Sequence, residues 1–146
     1  MSEAPTSAPG GYGPADPRGK KVLIVDDDEG ILNLVSLLVK TAGFQILTAS
    51  TGEDGINLLA NAPDALILDL IMPGCGGLGV LKHFKGKTGP VPPIIVITAY
   101  EKRHHSVQEA MMDPNVVQCL AKPLQHEILL EALHRMLKTE PLPKKK

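Results

Sequence analysis

Lys21-Val22-Leu23-Ile24-Val25 runs without a polar break into Asp26-Asp27-Asp28-Glu29, and this pattern recurs along the chain. Ala65-Leu66-Ile67-Leu68 ends on Asp69, Pro93-Ile94-Ile95-Val96-Ile97 on Thr98-Ala99, and Val116-Val117-Gln118-Cys119-Leu120-Ala121 on Lys122-Pro123. Short continuous Val/Ile/Leu runs suit strands of a parallel sheet covered on both faces, where no strand side needs to be polar. Ligands of such sheets bind beyond the carboxyl ends of the strands. Three or more carboxylates, a hydroxyl and an ammonium therefore meet at one edge, a set suited to metal-assisted phosphoryl chemistry.

The segments between these runs read as helices. Ile31, Leu34, Val35 and Leu38 recur at helical spacing, and Gly43 closes that helix. Phe44 to Ala49 forms a further strand, and Thr51 with Asp54 resembles a capping pair before a short helix through Ile56, Leu59 and Ala60. Gly76-Gly77 opens a helix carrying Leu78, Leu81 and Phe84, and residues 86–93 form a loop. A fourth helix around Ser106 to Met112 breaks at Asp113-Pro114, and the last shows Leu129, Ala132, Leu133 and Met136 on one face. Five βα units in strict alternation predict an α/β fold: an open, doubly wound parallel sheet with helices on both faces.

Composition narrows the function classes. The 146 residues fit one domain of about 20–138, preceded by a Pro/Gly-rich flexible extension over 1–19 and followed by a basic tail over 139–146. A formal net charge of −1 and 3% aromatic residues disfavour nucleic-acid or anionic-membrane binding. No apolar run reaches the ~20 residues of a membrane span, and the N-terminus lacks a signal-peptide pattern. Cys75 and Cys119 are too far apart for a CxxC pair, and a reducing cytoplasm is the expected location.

Asp69, alone after a buried strand, can act as an oxygen nucleophile toward phosphorus; the competing reading is a simple turn or helix cap. The Asp26–Glu29 cluster changes the balance. Packed carboxylates need a cation, and Mg2+ fits because it accepts one or two carboxylates and fills its octahedron with water and phosphate oxygens. At least one acid of that cluster serves only the helix dipole. Lys122 supplies a fixed ammonium and Thr98 a hydroxyl for phosphoryl oxygens.

Together VDDDE, LILDLIMPGCGG, VITAY and LAKP resemble the receiver domain of two-component response regulators, in the family's order and spacing over about residues 20–138. The resemblance implies a flavodoxin-like (βα)5 fold with strand order 2-1-3-4-5. It implies that Asp69 is the phosphoacceptor and that Asp26, Asp27, Asp69 and the backbone carbonyl of Ile71 hold Mg2+, with Mn2+ able to substitute. Thr98, Ala99 and Lys122 would bind the phosphoryl group, Thr98 would move inward as a switch, and Lys122-Pro123 is a candidate cis bond. The implied donor is a sensor histidine kinase or histidine phosphotransfer protein. The implied output is altered binding of a target by a monomer or weak dimer, without ordinary enzymatic turnover. Ile71 and Tyr100 stand where the family tunes hydrolysis; neither activates water, which implies a long-lived phosphoryl group.

Two departures stand out. Cys119 occupies the place where receivers carry the switch aromatic, which leaves a phosphorylation-independent pseudo-receiver as the alternative function. Gly74-Cys75-Gly76-Gly77 replaces the usual acidic turn. A metal-dependent phosphatase with an aspartyl-phosphate intermediate would want an acid two residues beyond Asp69, where this chain has Ile71. The Gly74–Gly79 match to a dinucleotide-binding pattern lies too far from the strand end to count. His104-His105 are expected on a solvated helix face, diverging from one another. Lys144-Lys145-Lys146 would give only weak, salt-sensitive attraction to nucleic acid or lipid.

Overall fold

Two of the three inner strands of the sheet are buried at every residue, as their unbroken apolar sequences require, and the fold is organised around them. The computed structural model describes residues 11–85 and 91–143. Along the chain these form β1 (Lys21–Val25), α1 (Glu29–Thr41), β2 (Gln45–Ala49), α2 (Gly52–Leu58), β3 (Ala65–Asp69), α3 (Gly76–Lys85), β4 (Ile94–Thr98), α4 (His105–Met111), β5 (Val116–Ala121) and α5 (His126–Leu137). All strand pairs are parallel, in the order β2-β1-β3-β4-β5. The fully buried β3 and β4 lie inside the sheet, and the half-exposed β2 and β5 form its edges.

Alternate strand residues feed two apolar layers. Leu23, Val25, Leu66, Leu68, Ile94 and Val96 pack with Val80, Leu81 and Phe84 of α3 and Val107 and Ala110 of α4. Val22, Ile24, Ile67, Ile95 and Ile97 pack with Val35 and Val39 of α1 and Leu129, Ala132 and Leu133 of α5. Each fully buried Val, Leu or Ile contributes about 1.5–3 kcal/mol relative to exposure, so β1, β3 and β4 are anchored from both sides. That double anchoring holds the strand ends, and the polar residues just beyond them, in fixed register. No helix of the described residues is long and apolar enough to cross a membrane.

Local chemistry sets the element boundaries. The Asp28 side chain accepts from the Ile31 N–H at 3.1 Å and caps α1; Thr51 Oγ1 accepts from the Asp54 N–H at 3.0 Å and caps α2. The α2 helix ends at Leu58 and tightens into a 3-10 turn over Leu59–Asn61, closed by Ala62 at φ 53°. At the start of α3 the helix lies directly on the end of β3. A Cβ on Gly77 would come within 2.7 Å of Leu70 Cα, so only glycine permits that approach. The β4–β5 register shifts between Ile94 and Ile95, leaving Val117 out of the pairing and exposed.

The described parts of the terminal segments, residues 11–19 and 139–143, are packed on the domain, where composition predicts a flexible extension and tail. Residues 11–19 carry no periodicity, yet Pro17–Gly19 form a 3-10 turn with Pro17 buried, and Asp16 and Arg18 pair at 2.6 Å. The Ala15 carbonyl accepts from the Glu140 N–H at 2.8 Å, and Thr139 is buried with its hydroxyl 2.8 Å from His134 Nδ1. Prolines and small residues pack by shape and need no amphipathic period, which is why the pattern gave no signal. Residues 1–10, the 86–90 part of the expected loop, and Lys144-Lys145-Lys146 lie outside the described residues.

Candidate functional site

The carboxyl ends of β1 and β3 are neighbours, with Val25 paired to Leu68, so the residues that follow each strand meet. Asp26 is fully buried, its N–H donating to the Ala49 carbonyl at 3.1 Å and its Oδ1 accepting from the Asp28 N–H at 2.8 Å. Asp27 is exposed at the rim. Asp69 is only 2% exposed, and its Oδ1 accepts from the Ile71 N–H at 3.2 Å. One carboxylate oxygen from each of Asp26, Asp27 and Asp69 lies within 4.8 Å of the others. Asp28 stays outside this group, as the N-cap of α1.

Lys122 reaches in from the end of β5. The donation of its N–H to the Thr98 carbonyl at 2.8 Å joins the ends of β4 and β5, and its peptide bond to Pro123 is cis. Its ammonium lies 3.1 Å from Asp26 Oδ2 and 3.4 Å from Asp69 Oδ2. Burial alone would lower the Lys122 pKa, but the two carboxylates outweigh it and hold the ammonium above its usual range. Asp69 moves the other way from an ordinary carboxylate. Burial first, and then the charge of Asp26, push its pKa up to about 7, against the pull of Lys122 and the Ile71 N–H.

One cation is therefore too little for three carboxylates. Asp26 Oδ2 is buried and, despite the ammonium 3.1 Å away, has no partner in hydrogen-bonding direction. An acidic cluster of hard oxygen donors, one of them buried without a hydrogen bond, fits a divalent cation such as Mg2+.

The remaining residues singled out by sequence sit around this centre. Thr98 is buried, with Oγ1 accepting from the Tyr100 N–H at 3.0 Å; Ala99 is exposed beside it. Ile71, 38% exposed, follows Asp69 on the rim. Cys119 is half-buried on β5, packs against the same apolar layer as Tyr100, and has its thiol pKa raised by burial.

Of the histidine pair, His105 is exposed at the start of α4 as expected, but the two rings do not diverge. His104 is not in the helix but caps it, in extended backbone at φ −63° and ψ 137°, with Nδ1 accepting from the Ser106 N–H at 3.1 Å. Its ring stacks on Tyr100 at 3.6 Å between centroids and 4° between planes, and on His105 at 4.5 Å and 25°. The divergence expected of two adjacent helical residues does not apply, because the helix starts between them. The available signal was a Tyr four residues before His104, in a segment without helical period.

The family of response regulator receiver domains matches residues 22–134. Response regulator MprA of Mycobacterium tuberculosis is 32% identical over 119 residues, covering 81% of this chain and 50% of MprA. Response regulator SaeR of Staphylococcus aureus is 30% identical over 86 residues, 59% of this chain and 37% of SaeR. Among solved structures, the chemotaxis protein CheY4 of Vibrio cholerae aligns with a TM-score of 0.69 and 29% identity, covering 80% of this chain and 98% of CheY4. The signal receiver domain of a LuxO repressor protein from Vibrio parahaemolyticus aligns at 0.72 and 26%, covering 82% and 90%. The chain belongs to the response regulator receiver domain family. It spans about half the length of the MprA relatives it matches.

Proposed function

We propose that this receiver domain takes a phosphoryl group onto Asp69 from a phosphohistidine of a partner kinase or phosphotransfer protein, with Mg2+ present, and that the modified form binds a target differently. The observation that supports this most is the convergence of Asp26, Asp27 and Asp69 within 4.8 Å, with the Lys122 ammonium 3.4 Å from Asp69. In the transfer, a carboxylate oxygen of Asp69 forms the new bond to phosphorus while the phosphorus–nitrogen bond of the donor breaks. The bonding pair leaves with the imidazole nitrogen.

The chain's own groups divide the work. Lys122 opposes the charge on Asp69 and on the arriving phosphoryl oxygens, and Thr98 offers a hydroxyl at the end of the adjacent strand. Main-chain donation from Ile71 holds the Asp69 carboxylate in one orientation, so the chemistry is positioning plus charge stabilisation. Asp26, Asp27, Asp69 and the Ile71 carbonyl are the groups that would hold Mg2+. When bound, the ion supplies the positive charge that lets an anionic nucleophile and an anionic phosphoryl group approach.

Acetyl phosphate replaces the partner in a direct test, with acetate as the leaving group. Intact mass should rise by one phosphoryl group in the presence of Mg2+, with no rise in EDTA or in Asp69→Asn. An unmodified mass at saturating donor and Mg2+ would refute the reading and leave phosphorylation-independent binding as the function.

A further inference from the structure

The contacts of Thr98 lead away from the phosphoryl site as well as into it. Its Oγ1 accepts the Tyr100 N–H at 3.0 Å. The Tyr100 ring lies flat on the His104 imidazole, 3.6 Å between centroids and 4° between planes. Nδ1 of that imidazole accepts the Ser106 N–H at 3.1 Å and so caps α4. The His104 carbonyl also accepts from Val107 at 3.0 Å and Gln108 at 3.1 Å, and the Gln108 side chain donates back to the Lys102 carbonyl at 2.8 Å. From the buried hydroxyl to the first turn of α4, every link is a short hydrogen bond or a ring stack.

On β5 Cys119, paired with Val96, carries no ring; the aromatic residue bonded to Thr98 is Tyr100, through its main-chain N–H. Both residues pack on the apolar layer beneath.

We propose that Tyr100 and His104 act as a relay that reports the state of Asp69 to the N-terminus of α4. The relay rests on the phosphoacceptor reading. When Thr98 turns its hydroxyl toward a phosphoryl oxygen on Asp69, Oγ1 leaves the Tyr100 N–H. The Tyr100 main chain is then free to shift, its ring moves relative to His104, and the imidazole loses its alignment with the Ser106 N–H. Orphan N–H groups at a helix start are costly, and an N-cap satisfies one of them. The first turn of α4 thus has enough at stake to change its opening rate when the cap is disturbed. Tyr100 and His104 are positioning residues in this scheme; neither touches the reacting atoms.

The test is amide hydrogen exchange of the 105–111 segment, with and without acetyl phosphate and Mg2+. It uses the wild-type chain, His104→Ser and Tyr100→Leu, compared at equal phosphoryl occupancy by intact mass. Serine is a strong N-cap, so His104→Ser keeps α4 capped while removing the stacked ring. Phosphorylation should change wild-type exchange at the start of α4 about three-fold or more, and both variants should respond by less than about half that factor. A response of wild-type size in either variant, or a phosphorylated wild type with unchanged α4 exchange, would overturn the relay while leaving phosphotransfer intact. Absence of any mass gain in the wild type would overturn both.

Discussion

The Lys122 ammonium lies 3.1 Å from the fully buried carboxylate of Asp26, so the end of β5 is tied electrostatically to the end of β1 across the two strands between them. Lys122, which also lies 3.4 Å from Asp69, is the only cationic side chain within 4 Å of the acidic cluster among the described residues. Removing one partner of a buried pair leaves an uncompensated charge. Lys122→Met should destabilise the metal-free protein by about 2 kcal/mol at pH 8 and by less at pH 5.5, where Asp69 is mostly protonated. Urea unfolding at the two pH values measures both, and the acetyl phosphate reaction should slow at least ten-fold.

Asp69 gives metal-free stability its own pH dependence. Its folded pKa, raised to about 7 by burial and Asp26, exceeds the unfolded value of ~3.9. The protonated group is therefore favoured by folding. Its contribution is fully present below pH ~4 and is lost as pH rises through about 7. In EDTA, Asp69→Asn should be more stable than the wild type at pH 8, by about 1–3 kcal/mol, with the difference vanishing toward pH 4. Equal urea midpoints at pH 8 would contradict the electrostatic account of the cluster.

A divalent cation should reverse that penalty. Ligand carboxylates must be deprotonated, so Mg2+ should raise the thermal midpoint more at pH 8 than at pH 6. At a concentration 100 times its dissociation constant it adds about 2.7 kcal/mol. Asp27 is exposed, so Asp27→Asn should fold normally while weakening Mg2+ binding about ten-fold or more, as read by calorimetric titration. Unchanged affinity in Asp27→Asn would exclude that residue from the ligand set.

Gly77 links the backbone to the site. A Cβ there meets the main chain of Asp69 and Leu70, atoms that cannot swing aside. Gly77→Ala should cost about 2–3 kcal/mol and, by moving the end of β3, slow phosphorylation of whatever fraction folds. Thermal unfolding together with the rate per folded molecule checks both.

Much of this was legible in the sequence. The strands at 21–25, 65–69 and 94–98 fall where continuous apolar runs put them, because burial on both faces leaves no other arrangement. The spatial order of strands came from the family resemblance and not from periodicity. At the site, Asp26, Asp27, Asp69 and Lys122 could be picked out because each stands at or just beyond the carboxyl end of a strand, and Asp28 separates from them as the α1 cap. The packing of the 11–19 and 139–143 segments could not, since it rests on tertiary contacts such as Pro17 and Leu142 meeting around Gly43. The Tyr100–His104 stack was missed for a related reason. It depends on α4 starting at His105, and helix starts shift by a residue or two when no Ser, Thr, Asp or Asn marks the cap.

The most direct measurement is the chemical identity of residue 69 after reaction. The protein is incubated with acetyl phosphate and Mg2+, reduced with borohydride, digested and sequenced by mass spectrometry. An acyl phosphate on Asp69 is reduced to homoserine, so the account predicts homoserine at position 69 and aspartate at 26, 27 and 28. Unreduced aspartate at 69 in a protein that has gained phosphoryl mass, or homoserine at another position, would contradict it.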